Sequence, residues 1–295
     1  MFSTRLAATT CLLLAATSCL EAQVLLINPG DNAVGSSQLT GSTPLGVSSP
    51  NNYWNNGSLT YSSSIVYADN SAATGVSIVG SAKDISSGSA IVNFASPIGT
   101  AYPGGSGVSG LFADDPALDS VYTGNMSVTT PGVFALKVTG LTLNTTYNVY
   151  VAAAYLAGTV GARPGGGNSA RQAVFGFAGT NASSLTYTAA SGGATISGAG
   201  TPATGYQALT DTNNSSWVEN NNFEIFQVTL TSANPALYIL VTGDKSLVGL
   251  DTSPSTEQRP WLNFVQIVAV PEPGASVLLA SILGLLICAR RRRSA

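Results

Sequence analysis

The chain has 295 residues, 44% of them hydrophobic and 8% charged, with a formal net charge of −3 and no histidine. Its three cysteines, Cys11, Cys19 and Cys288, lie near the ends, which leaves the long middle without a thiol for a disulfide, a nucleophile or a zinc site. Between Gln23 and Val270 twelve acids stand against six scattered bases, a balance with no electrostatic footprint for nucleic acid.

Residues 1–22 have the order of a secretory signal: Arg5 as the positive start, an apolar run through Leu12-Leu13-Leu14, and a small residue before the cut. Cleavage is expected between Ala22 and Gln23. The domain is then expected to run over 23–268.

Period-2 spacing of apolar residues dominates that middle, and no convincing amphipathic helix appears. Strands are predicted at Val24–Ile27, Gly75–Val79 and Ala90–Phe94. The next are Val133–Val138, with Phe134, Leu136 and Val138 on one face, and a strand carrying Tyr147, Val149 and Val151. Ala173–Phe177, Ser184–Tyr187 and Ala194–Ser197 follow, then Phe223–Leu230, Leu237–Val241 and Leu262–Val268. About a dozen short strands with turn residues between them predict an all-β sandwich. Tyr102–Gly110, Arg163–Asn168 and Ser191–Gly205 read as glycine-rich loops.

Without His or Cys, triad and Cys-His chemistry have no parts, and no catalytic residue is assigned. Carboxylates alone could serve a glycosidase or lyase, with Asp114 and Asp119, or Glu219 and Glu224, as the pair. At a spacing of five, strand side chains point to opposite faces, so neither pair converges unless a turn intervenes. Asp114, Asp115 and Asp119 share one segment and offer calcium its oxygen ligands, or else form a capped turn. Tyr53, Trp54, Tyr206 and Trp217 lie in Asn-rich sequence and suit sugar stacking. The competing expectation is that Trp54 and Trp217 plug the sandwich.

The tail is the most specific feature. Pro271-Glu272-Pro273 precedes the uncharged stretch 274–289, and Arg290, Arg291, Arg292 and Arg293 follow. The prolines hold the chain extended, the apolar stretch suits a short membrane helix, and the arginines fix its cytoplasmic side. This order, over 269–295, resembles the PEP-CTERM sorting signal. The resemblance implies a bacterial precursor that rests in the inner membrane, contacts lipid there, and is cut near the motif by an exosortase, a membrane cysteine transpeptidase. It implies delivery by the secretion machinery to the cell surface or extracellular matrix.

Two further resemblances concern the middle. Val138-Thr139-Gly140-Leu141, followed through Asn144 to Tyr147, resembles the tyrosine corner of fibronectin type III and other sandwich domains. In order along the chain, Tyr53-Trp54-Asn55-Asn56, 114–122, the Tyr147 strand, 219–228 and 262–267 are similar to a jelly-roll domain akin to galactose-binding-like modules. Together these imply an all-β, jelly-roll-like protein without enzymatic activity, structural or adhesive in matrix or biofilm. The alternatives are a carbohydrate-binding module, with extracellular polysaccharide as partner, and the carboxylate-dependent enzyme.

Overall fold

Short apolar runs separated by Gly, Asn and Ser leave room for strands and little else, and the computed structural model is all-β. It describes residues 23–29, 34–38, 52–57, 60–84, 92–95, 120–123, 132–153, 172–181, 186–190, 193–197, 201–203, 206–209, 219–244 and 260–270. In chain order the strands are β1 (Val24–Asn28), β2 (Gly35–Gln38), β3 (Tyr53–Asn56), β4 (Ser77–Asp84), β5 (Val92–Ala95) and β6 (Ser120–Thr123). Then come β7 (Gly132–Thr139), β8 (Thr146–Ala152), β9 (Gln172–Gly179), β10 (Thr186–Ala190), β11 (Gly193–Ser197) and β12 (Thr201–Ala203). The last are β13 (Tyr206–Leu209), β14 (Phe223–Thr229), β15 (Ala236–Thr242), β16 (Trp261–Leu262) and β17 (Phe264–Ala269). No helix occurs among the described residues, and hence none long and apolar enough to cross a membrane. The segments expected to be leader and membrane span lie outside the described residues.

Two large sheets form: a six-stranded one in the order β14-β8-β17-β1-β3-β2, and a five-stranded one in the order β13-β9-β15-β7-β4. They pack face to face. A β-carbon on Gly176 of β9 would meet the Phe226 ring of β14 at 2.7 Å, so the glycine admits the opposing sheet. Phe226 pairs with Val149 in the β14–β8 ladder, and Gly176 pairs with Ile239, which in turn pairs with Leu136. The expected Phe134–Leu136–Val138 face is therefore the inner one, and all three are fully buried.

Alternation weakens in β15, where every residue is buried. Tyr238 and Leu240 lie on the outer face yet are 0% and 1% exposed. β6 and β16 pack against β7 and β15, and β12 against β9, so the five-stranded sheet is covered on both sides. Phe177 stacks on Tyr238 within that outer face, with centroids 5.4 Å apart.

The strand expected at Ala194–Ser197 is β11, and β12 lies in the remainder of the segment 191–205, which was expected to be a loop. With β10 they form a three-stranded antiparallel sheet, because its Ala, Thr and Ile residues keep strand spacing between the glycines. The other two glycine-rich segments lie outside the described residues.

The crossing between the sheets is a tyrosine corner. β7 belongs to one sheet and β8 to the other, and Tyr147 Oη donates to the Thr142 carbonyl five residues upstream at 3.1 Å. Gly140 (φ +81) approaches the Gly75 carbonyl so closely that a β-carbon would lie 1.9 Å from its oxygen. Only glycine fits there.

By contact density the chain divides into two compact units, Val24–Val268 and Met1–Gln23 with Ala269–Ala295. In the second, the described residues are Gln23, Ala269 and Val270, and the Ala269 N–H donates to the Gln23 carbonyl at 3.1 Å.

Candidate functional site

The strand registers define two poles of the sandwich. Val24 pairs with Val268, and the short β7–β8 and β14–β15 connections lie at that pole. Asn28, Asn56, Ala152, Gln172, Phe223, Thr242 and Phe264 lie at the other. Among the described residues, most of the buried polar side chains gather at this second pole: Asn28, Asn56, Gln172, Asn222, Glu224, Thr242, Asp244 and Asn263. Burying polar groups is costly unless hydrogen bonds or ligands offset their lost hydration, so this pole is the candidate site.

Gln172, 1% exposed at the start of β9, ties the two sheets together there. Its Nε2 donates to the Ala153 carbonyl beyond β8, and its Oε1 accepts the Trp261 N–H at 2.9 Å. The Ala153 N–H donates to the Asn222 carbonyl at 3.0 Å, and the Asn263 N–H to the Ala152 carbonyl at 2.9 Å. Thr242 Oγ1 accepts the Asp244 N–H at 3.2 Å. The pole is thus a built polar layer with the half-buried Trp261 at its margin.

Glu219 and Glu224 enter this layer from β14 and the turn before it. The turn expected to be needed for their convergence is present. Asn220 adopts a left-handed conformation (φ 63), its N–H donates to the Phe223 carbonyl at 3.0 Å, and Glu219 bridges Phe223. Asn and Asp adopt that conformation more readily than other non-glycine residues. Glu224 lies two residues before Phe226 and so shares its inward face. It is 9% exposed, and its Oε2 has no hydrogen-bond partner. Burial pushes its carboxyl above the usual glutamate range. The Ile225 and Asn220 N–H groups partly offset this, and the Glu219 charge adds to the rise. Burial, and then Glu219, also raise the Tyr150 phenol. Both carboxylates belong to one tight turn rather than to opposite walls of a cleft, as glycoside hydrolysis requires.

The residues proposed for sugar stacking fall differently. Trp54 is fully buried. Its Nε1 donates to Asn52 Oδ1 at 2.8 Å and its ring meets Phe264 edge-on at 5.7 Å. No face is left for a sugar, and the expectation of a stacking Trp54 is corrected: a ring of this size in β3 is worth more in the core than in water. Tyr53, beside it, is half-buried. The neighbouring amides are also engaged. Asn55 Nδ2 donates to the Leu26 and Val66 carbonyls, both at 2.9 Å, and its Oδ1 accepts the Val66 N–H at 3.0 Å. Tyr206 begins β13, paired with Phe175 of β9.

Trp217, Asp114, Asp115 and Asp119 lie outside the described residues, as do Ala22, Pro271, Glu272, Pro273 and the arginines 290–293. Gln23, on the other side of the expected cut, is exposed and directly precedes β1. Apart from Glu224, the buried polar pole was not anticipated. Its other members are single amides, Thr242 and Asp244, at or near strand ends, and their only sequence signal is the clustering of Asn in 219–224.

No family model matches the chain, and no curated protein matches it. Among solved structures it is similar to the enzymatically active domain of tailspike protein 4 from bacteriophage CBA120, at 9% identity and a TM-score of 0.28. The match covers 66% of this chain and spans 20% of that one, and a likeness at that score carries no argument here about activity.

Proposed function

We propose that this chain is an exported, surface-sorted jelly-roll protein with a structural or adhesive task outside the cell, and no enzymatic one. The jelly-roll reading is supported by the wiring. In chain order β1, β7, β8, β9, β13, β14, β15 and β17 switch sheets at every step except β9 to β13. They lie as β14-β8-β17-β1 in one sheet and β13-β9-β15-β7 in the other, the interleaving of two Greek keys. β2, β3 and β4 extend the edges.

One observation carries the sorting reading: Pro271 follows the last residue of β17, Ala269, after a single intervening residue. The motif begins two residues past the end of the last described strand, a spacing that suits a segment handed to a membrane protease. The transient partners are then the secretion machinery, membrane lipid and an exosortase. Mass spectrometry of surface-protein fractions tests this. A mature C-terminus close to Pro271 is expected. Recovery of chains that retain Arg290–Arg293 would replace sorting with a permanent anchor.

A carbohydrate-binding module is the second reading, favoured by the polar layer at the pole remote from the Val268 end. Pull-down on a polysaccharide panel tests it. Binding lost in Trp261→Ala or Trp217→Ala, with the circular dichroism spectrum kept, supports it, and silence across the panel removes it.

A further inference from the structure

We infer that the Glu219–Glu224 turn is a divalent-cation site and that calcium is its ion. The run Glu219-Asn220-Asn221-Asn222-Phe223-Glu224 offers two carboxylates, three side-chain amide carbonyls and a backbone carbonyl at every residue. These are hard oxygen donors, the ligand type calcium takes. The bridge from Glu219 to Phe223 folds the run back on itself, which turns an odd spacing along the chain into proximity.

The second observation is Glu224 itself. Nine-tenths of its surface is buried, and its Oε2 meets no donor. A buried carboxylate oxygen without a donor is costly, more so than the Asn56 Oδ1 that also lacks one in this layer, because the carboxylate carries charge. The charge that acts on it, Glu219, has the wrong sign. No Lys or Arg pairs with either glutamate among the described residues. A water molecule would satisfy the lone pair and leave two like charges together; a cation satisfies both. Carboxylates alone do not complete the site, since no three acidic side chains gather among the described residues. The remaining ligands must come from the turn's carbonyls and amides. Such a mixed, irregular set suits the flexible coordination of calcium better than the strict octahedron of magnesium. The bound ion would fasten the turn to β14 at the edge of the six-stranded sheet.

The test uses the full chain, stripped with a chelator and titrated with calcium chloride by calorimetry. One calcium per chain is expected, in the sub-millimolar to millimolar range of extracellular modules. Glu224→Gln and the exposed Glu219→Gln should each weaken that binding at least tenfold; the second variant leaves the core untouched and guards against misfolding of the first. Terbium, excited through tyrosine, should luminesce in the wild type and lose most of that signal in Glu219→Gln. Two results would overturn the site: no calcium bound at millimolar concentration, or binding unchanged in both glutamate variants. Calcium lost only in Asp114→Asn or Asp119→Asn is the second result, with the ion placed elsewhere.

Discussion

Phe226 lies against Gly176 across the sandwich, and the contact leaves no room for a β-carbon: one built on Gly176 comes within 2.7 Å of the ring and 2.8 Å of the Phe226 β-carbon. Gly176→Ala therefore forces the sheets apart or the ring out of its rotamer, at a cost of about 1–3 kcal/mol. Urea denaturation should show a lower midpoint with an unchanged slope. In a Phe226→Ala background the same change should cost much less. Additive effects would place the two residues apart.

Asn55 acts as a piece of backbone. Its amide serves the Leu26 carbonyl and both polar groups of Val66, three bonds that a strand would otherwise supply. Asn55→Leu keeps the bulk and strands those groups, so a loss of about 2–4 kcal/mol is expected. Asn55→Asp should be at least as harmful, because it sets carboxylate oxygens against two carbonyls. Equilibrium unfolding checks both.

Gln266 presents the opposite case. It is fully buried in β17 opposite Leu26, and neither its Nε2 nor its Oε1 has a partner. An amide buried without hydrogen bonds costs stability that an apolar side chain of similar length would not. Gln266→Met should raise stability by about 1–2 kcal/mol, read as a higher melting temperature. A lower one would mean that an internal water holds the amide.

Glu224 makes stability depend on pH. Its folded-state pKa is raised, chiefly by burial and further by Glu219. The folded state thus binds its proton more tightly than the unfolded state. The group costs nothing below the ordinary glutamate pKa. Its penalty grows as pH rises from there through the raised value, and is complete above it. In chelator, Glu224→Gln should be more stable than the wild type at neutral pH and indistinguishable from it in acid. Saturating calcium should narrow or reverse the neutral-pH difference, because only the wild type keeps both carboxylates. Melting temperatures across that range, with and without calcium, decide it.

The strands that were legible in sequence are those with one apolar face. β7, β8 and β14 each carry apolar residues at alternate positions, and their partners follow. The tyrosine corner was legible because a Gly, a Leu and a Tyr at fixed offsets answer to one crossing geometry. β2 and β3 were not, since Gly-Ser-Ser-Gln and Tyr-Trp-Asn-Asn have no apolar alternation. Their order comes from the backbone pairing of β3 with β1 and β2, and from the Asn55 side chain. Trp54 beside amides reads first as a plug and second as a sugar platform, and its burial decides for the plug. The Glu219–Glu224 pair was discounted on strand periodicity, which holds only while the chain stays extended. A left-handed Asn220 breaks that condition, and three consecutive asparagines are its only trace in the sequence.

The pairing of Val24 with Val268 sets how this molecule bears load. If both ends were gripped and drawn apart, β1 and β17 would peel like a zip, one hydrogen bond at a time. If it is held by its C-terminal end alone, tension runs lengthwise along β17, a strand flanked by β1 and β8. Every bond on both sides must then slip together. The first strand is left slack and the last becomes a mechanical clamp.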